Sequence, residues 1–292
     1  MNNSTIFHYT NLDAFKSIIE KGEIWFTRID CLNDFSEYIY YREILKKSRE
    51  EFILERGIKH QYDLTFINRY VDNVLIKIRD DYYKKTFTFS LSNNGDSIPM
   101  WNYYSEKSGI AIGFDKMLLF IELGKRIAQR FTLLQCDIEY NVVKQIDIIK
   151  SKFDEILKTA NDPELFHDKD ISKTVNKAKI VLGDMWIDSY IFKEKSFEYE
   201  NEYRIALFKL GINNDNNNIS EEPQYIVTGH NIKPIIKIKV AENWNDIITN
   251  IVISPYNESK NIVENVHDFL NSNNINIEES KIIKSKCPVR NF

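Results

Sequence analysis

The sequence predicts an α+β fold with a mainly antiparallel sheet. Strand-like segments cluster at both ends of the chain and around residue 90, long helical stretches separate them, and no repeat of fixed period appears. With strands at both ends around central helices, the chain reads as one domain over 1–292. Its helical insertions fall at about 34–80 and 142–195, and 211–223 reads as a flexible loop.

The elements follow in order. "TIFHYT" (5–10) reads as a strand, and "NLDAFKSIIEKG" as a helix capped by Asn11, with Leu12, Phe15, Ile18 and Ile19 as its apolar stripe and Gly22 as its stop. "EIWFTRI" is a second strand. From "CLNDFSEYIYYREIL" to about Asp80 the chain is helical, with a break near Gly57. "KTFTFSLS" (85–92) alternates Phe87 and Phe89 with Thr and Ser, the period of a half-buried strand. "SIPMWNYYSEKSG" is a short helix or turn, and "GIAIGFD" (109–115) is a nearly continuous apolar strand of a sheet centre. Residues 116–128 read as helix and 131–140 as extended. Helix then runs from 142 to about 195, with a loop at "NDPE". Glu202 to Phe208 is the next strand, and "GINNDNNNISEEP" (211–223) after it has the composition of an exposed loop. The tail reads as the strands "QYIVTG", "PIIKIKV" and "NIVISP", the helix "NIVENVHDFLNS" and a last strand "INIEESKII".

Composition bounds the function. With 43% hydrophobic and 28% charged residues the chain is an ordinary globular protein. Its 43 acidic and 39 basic residues give a net charge of −4, which provides no overall positive field for nucleic acid or membrane, although a local basic patch stays open. Cys31, Cys136 and Cys287 are far apart with no CxxC spacing, and the five histidines are scattered, so no zinc site is expected. No apolar run reaches the roughly 18 residues a membrane span needs. "MNNSTIFHYT" lacks a signal pattern, and the expectation is a cytoplasmic protein.

Three stretches carry candidate chemistry. In "FEYENEYRIALF" an extended chain would put Glu198, Glu200, Glu202 and Arg204 on one face and Tyr199, Tyr203 and Ile205 on the other. Neighbouring carboxylates raise one another's pKa unless a cation intervenes, which is one way to place a general base. A solvated strand face neutralised by Arg204 accounts for the same pattern. In "FHYT", His8 and Thr10 offer ligand contacts or ordinary structural hydrogen bonds. In "SLSNNGDSIPMWNYYS", Ser90 and Ser92 share a strand face, and Trp101, Tyr103 and Tyr104 are flat rings suited to a heterocycle or to a core.

Taken together, "FHYTNLDAFKSIIEKGEIWFTRIDCLNDFSE", "FTFSLSNNGDSIPMWNYYSEKSGIAIGFD" and "FKEKSFEYENEYRIALF" resemble the DUF2971 family of bacterial proteins, from about residue 6 to about 208. The carriers are the HYT start, the N-D-x-x-E turn at Asn33, Asp34 and Glu37, the S-x-S and M-W-x-x-Y centre, and E-x-E-x-R at Glu200, Glu202 and Arg204. Asn33, Asp34 and Glu37 also read as a turn and helix cap. That pattern is in turn similar to the ADP-ribosyltransferase superfamily.

The superfamily resemblance implies a split antiparallel sheet and an enzyme, a glycosyltransferase that takes NAD as substrate without a metal. It modifies a macromolecule, protein or nucleic acid, as a toxin or anti-phage effector with an antitoxin or regulatory partner. His8, with Thr10 beside it, would hold the adenosine-side ribose, and Ser90 and Ser92 would support the nicotinamide side. Tyr104 or Trp101 would stack on the nicotinamide ring. Glu202 would be the catalytic carboxylate on the nicotinamide ribose, and Glu200 would orient or activate the acceptor. Lys195 and Arg204 are phosphate contacts or partners of the glutamates. NAD hydrolysis, and a non-catalytic module that binds nucleotide or nucleic acid, are the alternatives.

Overall fold

Alternation of apolar and polar residues fixes which way each strand faces, and most strands are where the sequence places them; the last, expected over 275–283, is confined to Ile282–Lys284 behind a 3-10 turn at Glu279–Lys281. The computed structural model describes residues 5–32, 37–78, 83–127, 131–160, 185–209, 223–228, 231–240 and 244–289. Asn33, Asp34, the "NDPE" loop and residues 211–222 lie outside the described residues.

The chain divides into two compact units. One comprises residues 1–31, 86–137 and 198–292; the other comprises 32–85 and 138–197, where the expected helical insertions fall.

The first unit holds a ten-stranded, mostly antiparallel sheet. Its strands are β1 (Thr5–Thr10), β2 (Glu23–Arg28), β3 (Thr86–Ser92), β4 (Ile110–Asp115), β5 (Phe131–Asp137), β6 (Glu202–Lys209), β7 (Gln224–Thr228), β8 (Asn231–Lys239), β9 (Ile248–Ile253) and β10 (Ile282–Lys284). Only the β9–β10 pair is parallel among the described residues.

The sheet forks at β3. β6 runs along the whole of β3, from Thr86 opposite Phe208 to Ser92 opposite Glu202, and occupies one edge completely. The other edge is divided: β2 pairs at Phe87 and Thr88, and β1 pairs at Ser92. β1 leads outward to β4, β9 and β10, while β2 leads to β8 and β7.

Side-chain alternation gives the sheet two unlike faces. Phe87, Phe89 and Leu91 of β3 join Tyr203, Ile205 and Leu207 of β6 in the main apolar cluster, with Ile6, Ile112, Phe26 and Ile236 from neighbouring strands. The helix Leu12–Lys21 contributes Phe15 and Ile19 to it. As the sequence predicts, that helix starts at Asn11, whose Oδ1 accepts from Ala14 N at 2.8 Å. It ends at Gly22, whose φ of 65° is the left-handed conformation a helix stop requires. The opposite face carries Thr86, Thr88, Ser90 and Ser92 of β3 and Glu202 and Arg204 of β6, together with a small cluster of Tyr9, Met100, Trp101, Ala111 and Val252.

The second unit packs the helices Glu37–Arg56, Gln61–Lys77 and Val142–Ala160 around Tyr41, Leu45, Phe52, Phe66, Tyr70 and Phe153. Gly57, with φ of 59°, makes the predicted break between the first two. Glu37 opens its helix and is buried with Lys193, whose Nζ lies 3.6 Å from Oε1. Gln145 ties this unit's buried backbone together, donating to the carbonyls of Glu139 and Lys193 at 2.6 and 3.0 Å and accepting from the Tyr40 hydroxyl at 2.7 Å. Among the described residues no helix is long and apolar enough to cross a membrane.

Candidate functional site

The strand begins where expected, at Glu202, but the extended run that would put Glu198 and Glu200 on its face does not form. Lys195–Glu200 is a 3-10 helix, Asn201 takes a left-handed φ of 42°, and β6 begins only at Glu202. Glu200 and Glu202 therefore are not two rungs of one strand face, which corrects the reading from alternation. The sequence signal for this turn is Asn201 itself, because asparagine enters the left-handed region more readily than other side-chain-bearing residues. Glu198 is exposed, while Glu200 and Glu202 are buried, at 3% and 4% exposure.

The turn gives the carboxylates different partners. Glu202 and Arg204 keep the i, i+2 relation of a strand and form a fork, Nε to Oε1 at 2.6 Å and Nη2 to Oε2 at 2.9 Å. Two parallel charge-assisted bonds of this kind hold a carboxylate ionised and fixed in orientation. Glu200 instead accepts from the hydroxyl of Tyr104, Oη to Oε1 at 2.6 Å. Tyr104 ends the short helix Ile98–Tyr104, which Pro99 starts and whose buried Met100 and Trp101 pack on β1 and β4. Burial, followed by the charge of Glu200, holds the Tyr104 hydroxyl well above the ordinary tyrosine range, so it stays protonated and donates.

Ser90 and Ser92 stand directly opposite Arg204 and Glu202 on β3. The Ser92 hydroxyl is fully buried. It donates to the Glu200 carbonyl at 2.6 Å and accepts from Asn94 N at 3.1 Å, so it supports the protein's own backbone. Across β6, Cys136 of β5 is registered with Arg204. Burial pushes its thiol up to about 11, with Glu202 and Asp137 adding to the rise and Arg204 and Lys116 opposing it. Tyr103 and Tyr199 flank the Tyr104–Glu200 contact, their ring centroids 6.1 Å apart, with Tyr103 69% exposed.

His8 and Thr10 are not part of this arrangement. His8 is registered with Ile112, shares the main apolar face and sits against the Phe89 ring, centroids 4.6 Å apart. Thr10, also on that face by alternation, is buried opposite Ile110. The His8 Nδ1 lies 3.4 Å from the Ser90 carbonyl, on the stretch of the β3 edge between the pairings of β1 and β2. A carbonyl only accepts, so Nδ1 carries the proton of the neutral ring. Burial lowers the imidazole pKa to about 4, against a smaller opposing effect of the Ser90 bond. His8 thus serves the sheet's fork.

Trp101 is also displaced from its expected role. It is fully buried, edge-on to Tyr9 at 4.7 Å, and its Nε1 donates to Asp96 Oδ1 at 2.9 Å. Asp96 also accepts from Lys286 N at 2.8 Å and from the Ser285 hydroxyl, so this tryptophan belongs to an anchor for the C-terminal segment. Lys195 is exposed on the 3-10 helix. Ser90, Ser92, Tyr104, Glu200, Glu202 and Arg204 thus lie at neighbouring positions around β3 and β6, whereas His8, Thr10 and Trp101 are held elsewhere. Among the described residues no group of three or more His, Cys, Asp or Glu side chains is placed to hold a metal ion.

A family model described as protein of unknown function (DUF2971) matches residues 100–205. The chain is similar to DUF2971 over that stretch. The match includes Trp101, Tyr104, Glu200, Glu202 and Arg204 and leaves out His8, Thr10, Ser90 and Ser92. No curated protein and no solved structure matches the chain. The DUF2971 similarity thus covers the Tyr104–Glu200 contact and the Glu202–Arg204 fork, and it brings no activity with it.

Proposed function

We propose that the chain is an NAD-dependent ADP-ribosyltransferase that modifies a macromolecule, protein or nucleic acid. The observation that supports this most is the meeting of Tyr104 with Glu200 beside the Glu202–Arg204 fork, a pair of differently held carboxylates on one side of the sheet.

Cleavage of the bond between ribose C1' and the nicotinamide nitrogen leaves the electron pair on nitrogen and builds oxocarbenium character at C1'. A carboxylate fixed in its ionised form stabilises that charge more in the transition state than in the ground state. Glu202 takes this role, with Arg204 fixing its orientation. As the acceptor attacks C1', Glu200 receives its proton, and Tyr104 holds that carboxylate in place. Tyr103 and Tyr199 are the exposed rings beside the pair and offer the planar surface for a heterocycle. His8, Thr10 and Trp101, which the superfamily resemblance would place on NAD, have structural roles in this reading. With water as acceptor, Glu202 held by Arg204 makes an NAD glycohydrolase that does not need Glu200.

A second reading is a module that binds a nucleotide or nucleic acid without chemistry. It would use the exposed rings of Tyr103 and Tyr199, with the buried Glu200, Glu202 and Arg204 as internal structure beneath them. Incubation with NAD and measurement of nicotinamide release separates the two. Release that disappears in Glu202→Gln supports the enzyme; no release with protein, nucleic acid or water as acceptor sinks it.

A further inference from the structure

The residue between the two carboxylates is the only described position on either side of β6 with a left-handed backbone, and it is not glycine. Both carbonyls around it are clamped from the end of β3. The Glu200 carbonyl accepts from the Ser92 hydroxyl at 2.6 Å. The Asn201 carbonyl accepts from Asn93 N at 2.8 Å and from Asn93 Nδ2 at 3.2 Å. Asn93 is itself held through Nδ2 by Asp137 Oδ1 at 2.9 Å, on the strand at the far side of β6. Three strands thus fix one turn.

An extended residue 201 would continue the ladder and make Glu200 the next rung beyond Glu202, at the ordinary spacing of alternate strand residues. The left-handed residue breaks that alternation. We propose that Asn201, locked by Ser92 and Asn93, is the positioning residue that directs the Glu200 carboxylate onto Tyr104 and so gives the two glutamates separate partners. Ser92 is then a positioning residue and not a ligand contact. The catalytic meaning of this device rests on the proposed function, whereas the device itself does not.

The substitutions that test it differ in backbone freedom. Asn201→Gly keeps access to positive φ, and Asn201→Val, β-branched, makes it costly. The readout is the Tyr104 hydroxyl proton, followed by NMR in protein labelled at tyrosine Cζ and assigned by its loss in Tyr104→Phe. Its bond to a buried carboxylate slows exchange with water. The resonance is expected in the wild type and in Asn201→Gly, and lost in Asn201→Val and in Ser92→Ala. Where the wild type transfers ADP-ribose to an acceptor, Asn201→Val loses about 10²-fold of that transfer rate, the scale set by small misplacements of reacting groups, while Asn201→Gly keeps it. A folded Asn201→Val that retains the Tyr104 resonance overturns the proposal; if that variant does not fold, retention of the resonance in Ser92→Ala overturns it equally. A wild type that releases no nicotinamide defeats the proposed function and leaves the hydroxyl resonance to decide the clamp.

Discussion

Tyr104 donates its hydroxyl to Glu200 at 2.6 Å across a sequence separation of 96 residues. Removing that donor takes a charge-assisted bond from a buried carboxylate. Tyr104→Phe is therefore expected to destabilise the fold by about 1–3 kcal/mol, read as a lower urea midpoint with an unchanged m-value.

The Glu202–Arg204 fork is nearly inaccessible, so breaking it from one side strands a charge. Arg204→Met is expected to cost about 3–5 kcal/mol. The double variant Arg204→Met, Glu202→Gln recovers part of that loss, because neither member of the fork is then left as a charge without the other. Arg204→Lys gives an intermediate result, since an ammonium cannot supply two parallel donors. Chemical denaturation of the wild type, Arg204→Met, Glu202→Gln and the double variant forms the cycle that measures the coupling.

Acid weakens the fork of the sheet through His8. Its folded-state pKa of about 4 lies below the ordinary value of 6.5, so between those limits the unfolded chain binds the proton more readily. The contribution is complete above about pH 6.5 and is lost as pH falls through the folded pKa. Its size is on the order of 3 kcal/mol. His8→Asn keeps a donor for the Ser90 carbonyl without a titrating group, and its stability falls less than that of the wild type between pH 7 and pH 4.5 in urea melts.

The two glutamates are expected to separate kinetically. Glu202→Gln abolishes nicotinamide release altogether. Glu200→Gln retains release to water and loses transfer to a macromolecular acceptor, because only the transfer step needs its proton acceptance. Parallel assays of nicotinamide and of labelled ADP-ribose on the acceptor distinguish the two, and equal losses in both assays count against the division of roles.

Much of this was written in the residue pattern. The period-2 alternation of "FTFSLS" and "YRIALF" places Phe87, Phe89, Ile205 and Leu207 in one cluster, and Asn11 and Gly22 bracket their helix as local capping chemistry requires. Glu202 and Arg204 share a face for the same reason. The pattern missed what depends on partners distant in sequence. Alternation carries no information about Asn201 turning left-handed, since the locking groups are Ser92 and Asn93. A histidine flanked by Phe7 and Tyr9 reads identically whether it faces a ligand or caps a carbonyl at a sheet fork. Trp101 became a core residue with Asp96, five residues before it, satisfying its indole N–H, while Asp96 is in turn tied to the distant Ser285 and Lys286.

The shared edge of β3 also imposes a timetable on the nascent chain. β1, β2 and β3 are all synthesised by residue 92, yet the strand that covers the other edge of β3 begins at residue 202, after the segment 138–197 of the second unit has emerged. Until then β3 has one bare edge, and such edges are open to pairing with other chains. Closing so long a loop around the sheet's centre makes its completion a late event governed by sequence separation.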